Sequence, residues 1–234
     1  MGTVIFDFDS TLVPCESLEV VLARAPGASA QDLERGAEIT RLGMEGAISF
    51  HDSLTQRLEI ARPARRDLIA VGEELAREVT DGAPEVVAWL HDEGHDVWIV
   101  SGGFQEVLLP VAAALGIPAA RVQGVRALWT AEGAFDGLDA DDAFAHSKVD
   151  GVRKLAPTWP QPSIGVGDGA TDRALCEAGL VDAFIAYTEH VRRSFVADAR
   201  EMVEVASMSA LRVELKTRLE RRAAATPNDG MRRN

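Results

Sequence analysis

The stretch TVIFDFDSTLVPCES, residues 3–17, decides how the rest of the chain is read. An apolar run drives into two aspartates, Asp7 and Asp9, separated only by Phe8. Further runs of the same kind are DVWIVSGG (96–103), SIGVGDG (163–169) and DAFIAY (182–187). They show little polar alternation, as strands do when buried on both faces in a parallel sheet between helical layers. Segments of helical period lie between them, such as APEVVAWLHDEG (83–94), where Gly94 supplies a stop. The expected class is α/β, with a doubly wound, Rossmann-like parallel sheet as the core.

One interval breaks the rhythm. The first strand ends near Asp9 and the next begins near Asp96, whereas a single crossover needs only about a dozen residues or somewhat more. SLEVVLARA, AQDLERGAEITRLGM, AISFHDSLTQRLEI and RRDLIAVGEELAREV fill this interval with helical patterns. The reading is an inserted helical cap domain over 14–74, with residues 1–13 and 75–220 forming the core. RRAAATPNDGMRRN (221–234) lacks apolar periodicity and reads as a disordered tail.

Composition narrows the function. The 234 residues are 47% hydrophobic and 26% charged, ordinary for a globular protein. A formal charge of -13 argues against a nucleic-acid or anionic-membrane partner. An anionic substrate must then be drawn in by a local positive centre. Cys15 and Cys176 stand alone, without metal-ligand spacing, which fits a reducing compartment. The N-terminus lacks a basic leader, and no apolar stretch approaches the roughly 20 residues of a membrane helix. A soluble, cytoplasmic protein is the expectation; its oligomeric state is left open.

In open α/β sheets, ligands bind beyond the carboxyl ends of the strands. Three strands end there in polar clusters: Asp7 and Asp9, Ser101-Gly102-Gly103, and Asp168 with Asp172 following. Asp7 and Asp168 offer the hard oxygen ligands that suit Mg²⁺ and a substrate phosphate. Residues two apart on a strand share a face, so both Asp7 and Asp9 reach the site. One carboxylate can attack phosphorus, and the other can protonate the leaving oxygen and then activate water. Ser101 and the N–H groups after it, taken as a helix start, suit phosphate oxygens. A lysine is wanted to offset the charge between nucleophile and phosphoryl group, and Lys148 in AHSKVDGVRKL is the candidate.

DFDSTLV, SGGF, Lys148 and GDGATD resemble, in order and at similar separations, the four motifs of the haloacid dehalogenase superfamily of phosphohydrolases. The resemblance implies Asp7 as nucleophile, Asp9 as general acid/base, Ser101 and Gly102 as phosphate binders, and Lys148 as the stabilising cation. It implies Mg²⁺ held by Asp7, the Asp9 carbonyl and Asp168, with Asp172 supporting its water shell. Within the cap, Glu16 and GMEGAISFHDSLTQRL (43–58) resemble the phosphoserine phosphatase family. That resemblance places Glu16 on the substrate ammonium and Arg57 on its carboxylate, with Met44 and Phe50 shielding the pocket. Thr171 stands where bacterial and archaeal members often carry Asn, and is counted among the substrate-binding positions. The implied partner is a small phosphorylated amino acid. Another small phosphorylated metabolite, transfer to an acceptor alcohol, or a non-catalytic binding module on the same scaffold are the alternatives.

Plainer readings stand beside these. Asp7 and Asp9 are common turn residues, Asp168 and Asp172 suit a helix N-terminus, and Met44 and Phe50 suit a core. GVGDGA (165–170) also fits a dinucleotide fingerprint, but Asp168 would set a carboxylate against a pyrophosphate.

Overall fold

Thr3–Phe6 forms strand β1, buried along its whole length. The computed structural model describes residues 1–25, 27–193 and 203–223. β1 pairs in parallel with β2 (Asp96–Phe104) on one side and β6 (Ser163–Gly167) on the other. β3 (Val122–Val125) extends the sheet beyond β2; β7 (Ala183–Tyr187) and β8 (Val203–Val205) extend it beyond β6. The order is β3-β2-β1-β6-β7-β8, and every pairing is parallel. The reversal of chain direction about β1 puts a crevice at the carboxyl ends of β1, β2 and β6, where such sheets bind ligands.

The long interval after β1 is helical, as expected. It holds α1 (Ser17–Ala23), α2 (Ala30–Met44), α3 (Phe50–Ala61) and α4 (Arg65–Leu75). The caps explain where these helices begin. Ser29 accepts from the Asp32 N–H and Asp32 reciprocates at α2, while Ser49 accepts from the Asp52 N–H at α3. Arg62 takes a left-handed conformation (φ 38) and ends α3 just before Pro63. The chain leaves the core and returns to it at adjacent points: the Thr80 N–H donates to the Leu12 carbonyl (2.8 Å) and its hydroxyl to the Thr11 carbonyl (2.7 Å). The result is an α/β fold with an inserted helical cap.

The other helices are α5 (Ala83–Asp92), α6 (Gln105–Ala114), α7 (Lys148–Val152), α8 (Ala170–Glu177) and α9 (Met208–Ala223). Their apolar residues and those of the sheet and cap join one core that includes Val4, Phe6, Leu54, Leu68, Ile99, Leu108, Ile164 and Leu211. An antiparallel hairpin, β4 (Ala127–Trp129) with β5 (Phe135–Leu138), follows β3. Its turn receives the cap, since the Arg65 N–H donates to the Gly133 carbonyl and Ala64 bridges to Ala134.

Several local expectations change. β1 stops at Phe6, so Asp7 and Asp9 sit in a turn rather than on one face of a strand. The Phe8 carbonyl accepts from the Thr11, Leu12 and Val13 N–H groups, and Ser10 adopts φ 53, so the turn orients both carboxylates. β2 runs to Phe104 and α6 begins at Gln105; Ser101, Gly102 and Gly103 therefore belong to a strand end, not to a helix N-terminus. α9 reaches Ala223, three residues into the stretch read as a tail, and residues 224–234 lie outside the described residues. β3, β8 and the hairpin went unrecognised because three- and four-residue strands carry almost no periodicity.

α4 crosses α6 at Gly72, where an added Cβ would fall 2.6 Å from the Val107 carbonyl oxygen. A backbone atom cannot rotate aside. Gly72→Ala is therefore expected to push the helices apart and cost about 1–3 kcal/mol. Urea denaturation should show a lower midpoint at unchanged slope.

Candidate active site

The centre of the site is an ion triad. The Lys148 ammonium, at the start of α7, donates to Asp7 Oδ1 (2.6 Å) and to Asp172 Oδ1 (2.5 Å). All three side chains are buried. Burial opposes the charge on Lys148, but the Asp172 and Asp7 carboxylates outweigh it and hold the ammonium well above the ordinary lysine range. Asp172, in the first turn of α8, also accepts from the Gly169 N–H (3.0 Å). Asp7 Oδ1 accepts from the Phe8 N–H as well (2.7 Å). Asp7 Oδ2 is buried without a partner.

Asp168 follows β6 and accepts on Oδ2 from Arg193 Nε (2.8 Å), with Arg193 Nη2 2.7 Å away in the same ion pair. Its Oδ1 is buried without a partner. Burial, with the Asp7 charge next, lifts the Asp168 carboxyl to about 7 despite Arg193. Burial and then the Asp7 charge also raise Asp172. Ligand atoms of Asp7, Asp168 and Asp172 lie within 4.8 Å of one another. Two bare carboxylate oxygens at so close a cluster, in a place that burial makes costly for charge, fit a hard divalent cation.

Asp9 is held from the cap: its Oδ1 accepts from the Ser17 N–H (2.9 Å) and its Oδ2 from the Ser17 hydroxyl (3.1 Å), at the first residue of α1. Burial first, then the Glu16 and Asp7 charges, push its carboxyl up to about 8. A carboxyl so shifted retains a proton near neutrality and can donate it.

The cap closes this cluster into one cavity. From the core side, Asp7, Asp9, Ser101, Gly102, Lys148 and Thr171 line it; from the inserted segment, Glu16, Met44, Phe50 and Arg57 do. Asp168 and Asp172 do not line it and join it through Arg193 and Lys148. The Phe50 ring lies where a Gly102 Cβ would fall, at 2.5 Å, and Met44 Sδ is 3.3 Å from the corresponding point on Gly169. The cap thus rests on the phosphate-motif backbone. The room left is ≈ 30 Å³, which two or three waters would fill, so a substrate must enter with the cap moved away.

Glu16 accepts on Oε1 from the Ser10 hydroxyl (2.9 Å) and from Arg193 Nη2 (2.9 Å), while its Oε2 is buried and unpartnered. Arg57, on α3, is buried yet makes only two long bonds, from Nε to the Ser53 carbonyl (3.2 Å) and from Nη1 to Thr40 Oγ1 (3.5 Å). Burial lowers its pKa against the pull of Glu16, Asp9 and Glu19. Most of its N–H groups are left for an anion.

The sequence model of the haloacid dehalogenase-like hydrolase family matches residues 4–177. The chain belongs to that family. Mouse phosphoserine phosphatase is 35% identical over 198 residues, covering 83% of this chain and 85% of the mouse protein. A solved phosphoserine phosphohydrolase-like protein from Francisella tularensis is 36% identical, with a TM-score of 0.87 over 92% of this chain and 99% of that one. A structure titled as a phospho-aspartyl intermediate analogue of phosphoserine phosphatase is 25% identical, with a TM-score of 0.70 over 92% and 98% of the two chains.

Of the residues singled out from sequence, Asp7, Asp9, Glu16, Met44, Phe50, Arg57, Ser101, Gly102, Lys148 and Thr171 line the cavity, while Asp168 and Asp172 lie beside it. Arg193, Ser17, Thr40 and Ser53 also contribute and were not anticipated. Ser17 lies eight residues after Asp9, beyond the reach of a local turn motif, and nothing local distinguishes Arg193 from Arg192.

Without a bound cation, Asp9 and Asp168 titrate near 8 and 7 in the native state, against about 3.9 for an unfolded aspartate. The native protein therefore binds extra protons between these limits, and stability falls as pH rises through them. With a chelator present, the melting temperature is expected to fall from pH 5.5 to 8.5; saturating Mg²⁺ should flatten that fall by binding the ionised form. A chelated profile that is level or rising would contradict the clustering of these charges.

Proposed function

We propose that this protein is a Mg²⁺-dependent phosphomonoesterase that hydrolyses O-phospho-L-serine to serine and phosphate. One observation carries the substrate reading: Glu16, whose Oε2 is buried without a partner, and a buried, under-bonded Arg57 line the same cavity as Asp7 and Lys148. A phosphate ester with an ammonium and a carboxylate satisfies both. Arginine suits the carboxylate because its planar fork matches two oxygens. The likeness to mouse phosphoserine phosphatase and to the Francisella phosphoserine phosphohydrolase-like protein supports the same reading.

Asp7, held by Lys148 and the Phe8 N–H, attacks phosphorus as the bond to the serine oxygen breaks. Asp9 gives its proton to that oxygen, leaving an aspartyl phosphate on Asp7. Asp9 then takes a proton from water as the water oxygen attacks phosphorus, and Asp7 is released as a carboxylate. Ser101, whose hydroxyl already accepts from the Gly103 N–H (3.0 Å), and the Gly102 N–H would take phosphoryl oxygens. Asp7, Asp168 and the Asp9 carbonyl would hold the divalent ion, which supplies positive charge beside the transferring group. Asp172 keeps Lys148 in place, and Thr171 lines the substrate side. Met44 and Phe50 exclude water when the cap, proposed as residues 14–74, closes on the core of 1–13 and 75–220. The proposed setting is serine formation in the cytoplasm.

Phosphate release from L-phosphoserine is expected to exceed that from other small monoesters, and Asp7→Asn to abolish it in a folded protein. Arg57→Met should lower kcat/KM for phosphoserine roughly 30-fold, about 2 kcal/mol for a lost charged hydrogen-bond pair. An even rate across a panel of esters would overturn the substrate, and full activity in Asp7→Asn would overturn the mechanism.

A further inference from the structure

Arg193 follows β7, with a buried guanidinium that touches two acids far apart in sequence. Nε donates to Asp168 Oδ2 and Nη2 donates to Glu16 Oε1, while Nη2 also lies 2.7 Å from Asp168 Oδ2 as an ion pair. Each carboxylate is thereby engaged through one oxygen, and in each the other oxygen is buried without a partner. Those two bare oxygens are the ones assigned above to the cation and to the substrate ammonium. Among the described residues, no other side chain bonds to Asp168, and only Ser10 shares Glu16.

We propose that Arg193 is a positioning residue that couples the cation site to the amine site. By bridging Asp168 and Glu16 it sets Asp168 Oδ1 toward the Asp7 cluster and Glu16 Oε2 toward the cavity. The proposal rests on the phosphoserine reading, which it extends. A planar guanidinium does this because its donors leave in fixed directions; an ammonium is a point charge without that fork. Charge by itself predicts the opposite effect, since a positive group beside Asp168 repels a divalent ion. The sign of a substitution therefore separates orientation from charge. Neighbouring Arg192 provides a control: it is exposed and pairs with Glu204 of β8 (2.8 and 3.0 Å), tying the same segment to the sheet outside the site.

The test is calorimetric titration of the full chain with Mg²⁺ in the absence of substrate, with thermal melts to establish folding. Partners that orient metal ligands are typically worth 10–100-fold in affinity. Arg193→Met and Arg193→Lys are both expected to weaken Mg²⁺ binding by roughly that factor, and Arg192→Met to leave it unchanged. At saturating Mg²⁺, both Arg193 variants should also lose, by about 10-fold or more, the preference in kcat/KM for phosphoserine over the phosphate ester of 3-hydroxypropanoate, which lacks the amine. Unchanged or tighter Mg²⁺ binding in Arg193→Met overturns the proposal. So does full rescue by Arg193→Lys, which would show that the planar fork is not required. Wild-type protein that takes up no Mg²⁺ would overturn the metal reading and this proposal together. Wild-type protein that binds Mg²⁺ without preferring the amine-bearing ester would overturn the substrate reading and the amine half, leaving the titration to decide the cation half.

Discussion

A buried ammonium between two buried carboxylates constrains everything else in this molecule. Lys148 reaches Asp7 across 141 positions of sequence and Asp172 across 24. Removing either acid would leave a charge in a water-poor place, a loss of order 3–5 kcal/mol for a broken buried pair. The triad therefore ties the end of β1 to the starts of α7 and α8, and it sets Asp7 with one oxygen pinned and one bare.

Around that triad the site gathers more acid than the cations nearby can balance. Asp7, Asp9, Glu16, Asp168 and Asp172 face Lys148, Arg193 and Arg57, in a protein already carrying a formal charge of -13. Burial first, and the neighbouring acid charges after it, raise the carboxyls of Asp9 and Asp168. A divalent ion among Asp7, Asp168 and Asp172 would offset these acids and leave a locally positive centre for a small anion. The global charge argues against binding nucleic acid, while the local cations allow a small anion.

The inserted helices connect this chemistry to selectivity. Ser17, the first residue of α1, holds Asp9, and Phe50 and Met44 rest against glycines of the core. The inserted segment thus touches both Asp9 and the core backbone at Gly102 and Gly169. On the function proposed above, the groups that would discriminate among esters, Glu16 and Arg57, lie on the inserted segment and line the cavity opposite Asp7 and Lys148. Among the described residues no helix is long and apolar enough to cross a membrane.

Much of this was legible in the linear chain because buried parallel strands and helical periods leave strong patterns, and because carboxylates at strand ends are unusual enough to notice. β1, β2, β6 and β7, the helical insertion and the acids at Asp7, Asp9, Asp168 and Asp172 were readable in that way. Short elements such as β3 and β8 were not, since three or four residues hold no period. Nor was the turn that aims Asp7 and Asp9, which depends on the Phe8 carbonyl and the positive φ of Ser10. Sequence alone determined which residue types stand at the ends of the strands, because patterning and composition are local properties. Only the tertiary structure decided that Arg193 spans Asp168 and Glu16, because a guanidinium's choice of partners follows from directions and distances that no neighbouring residue encodes.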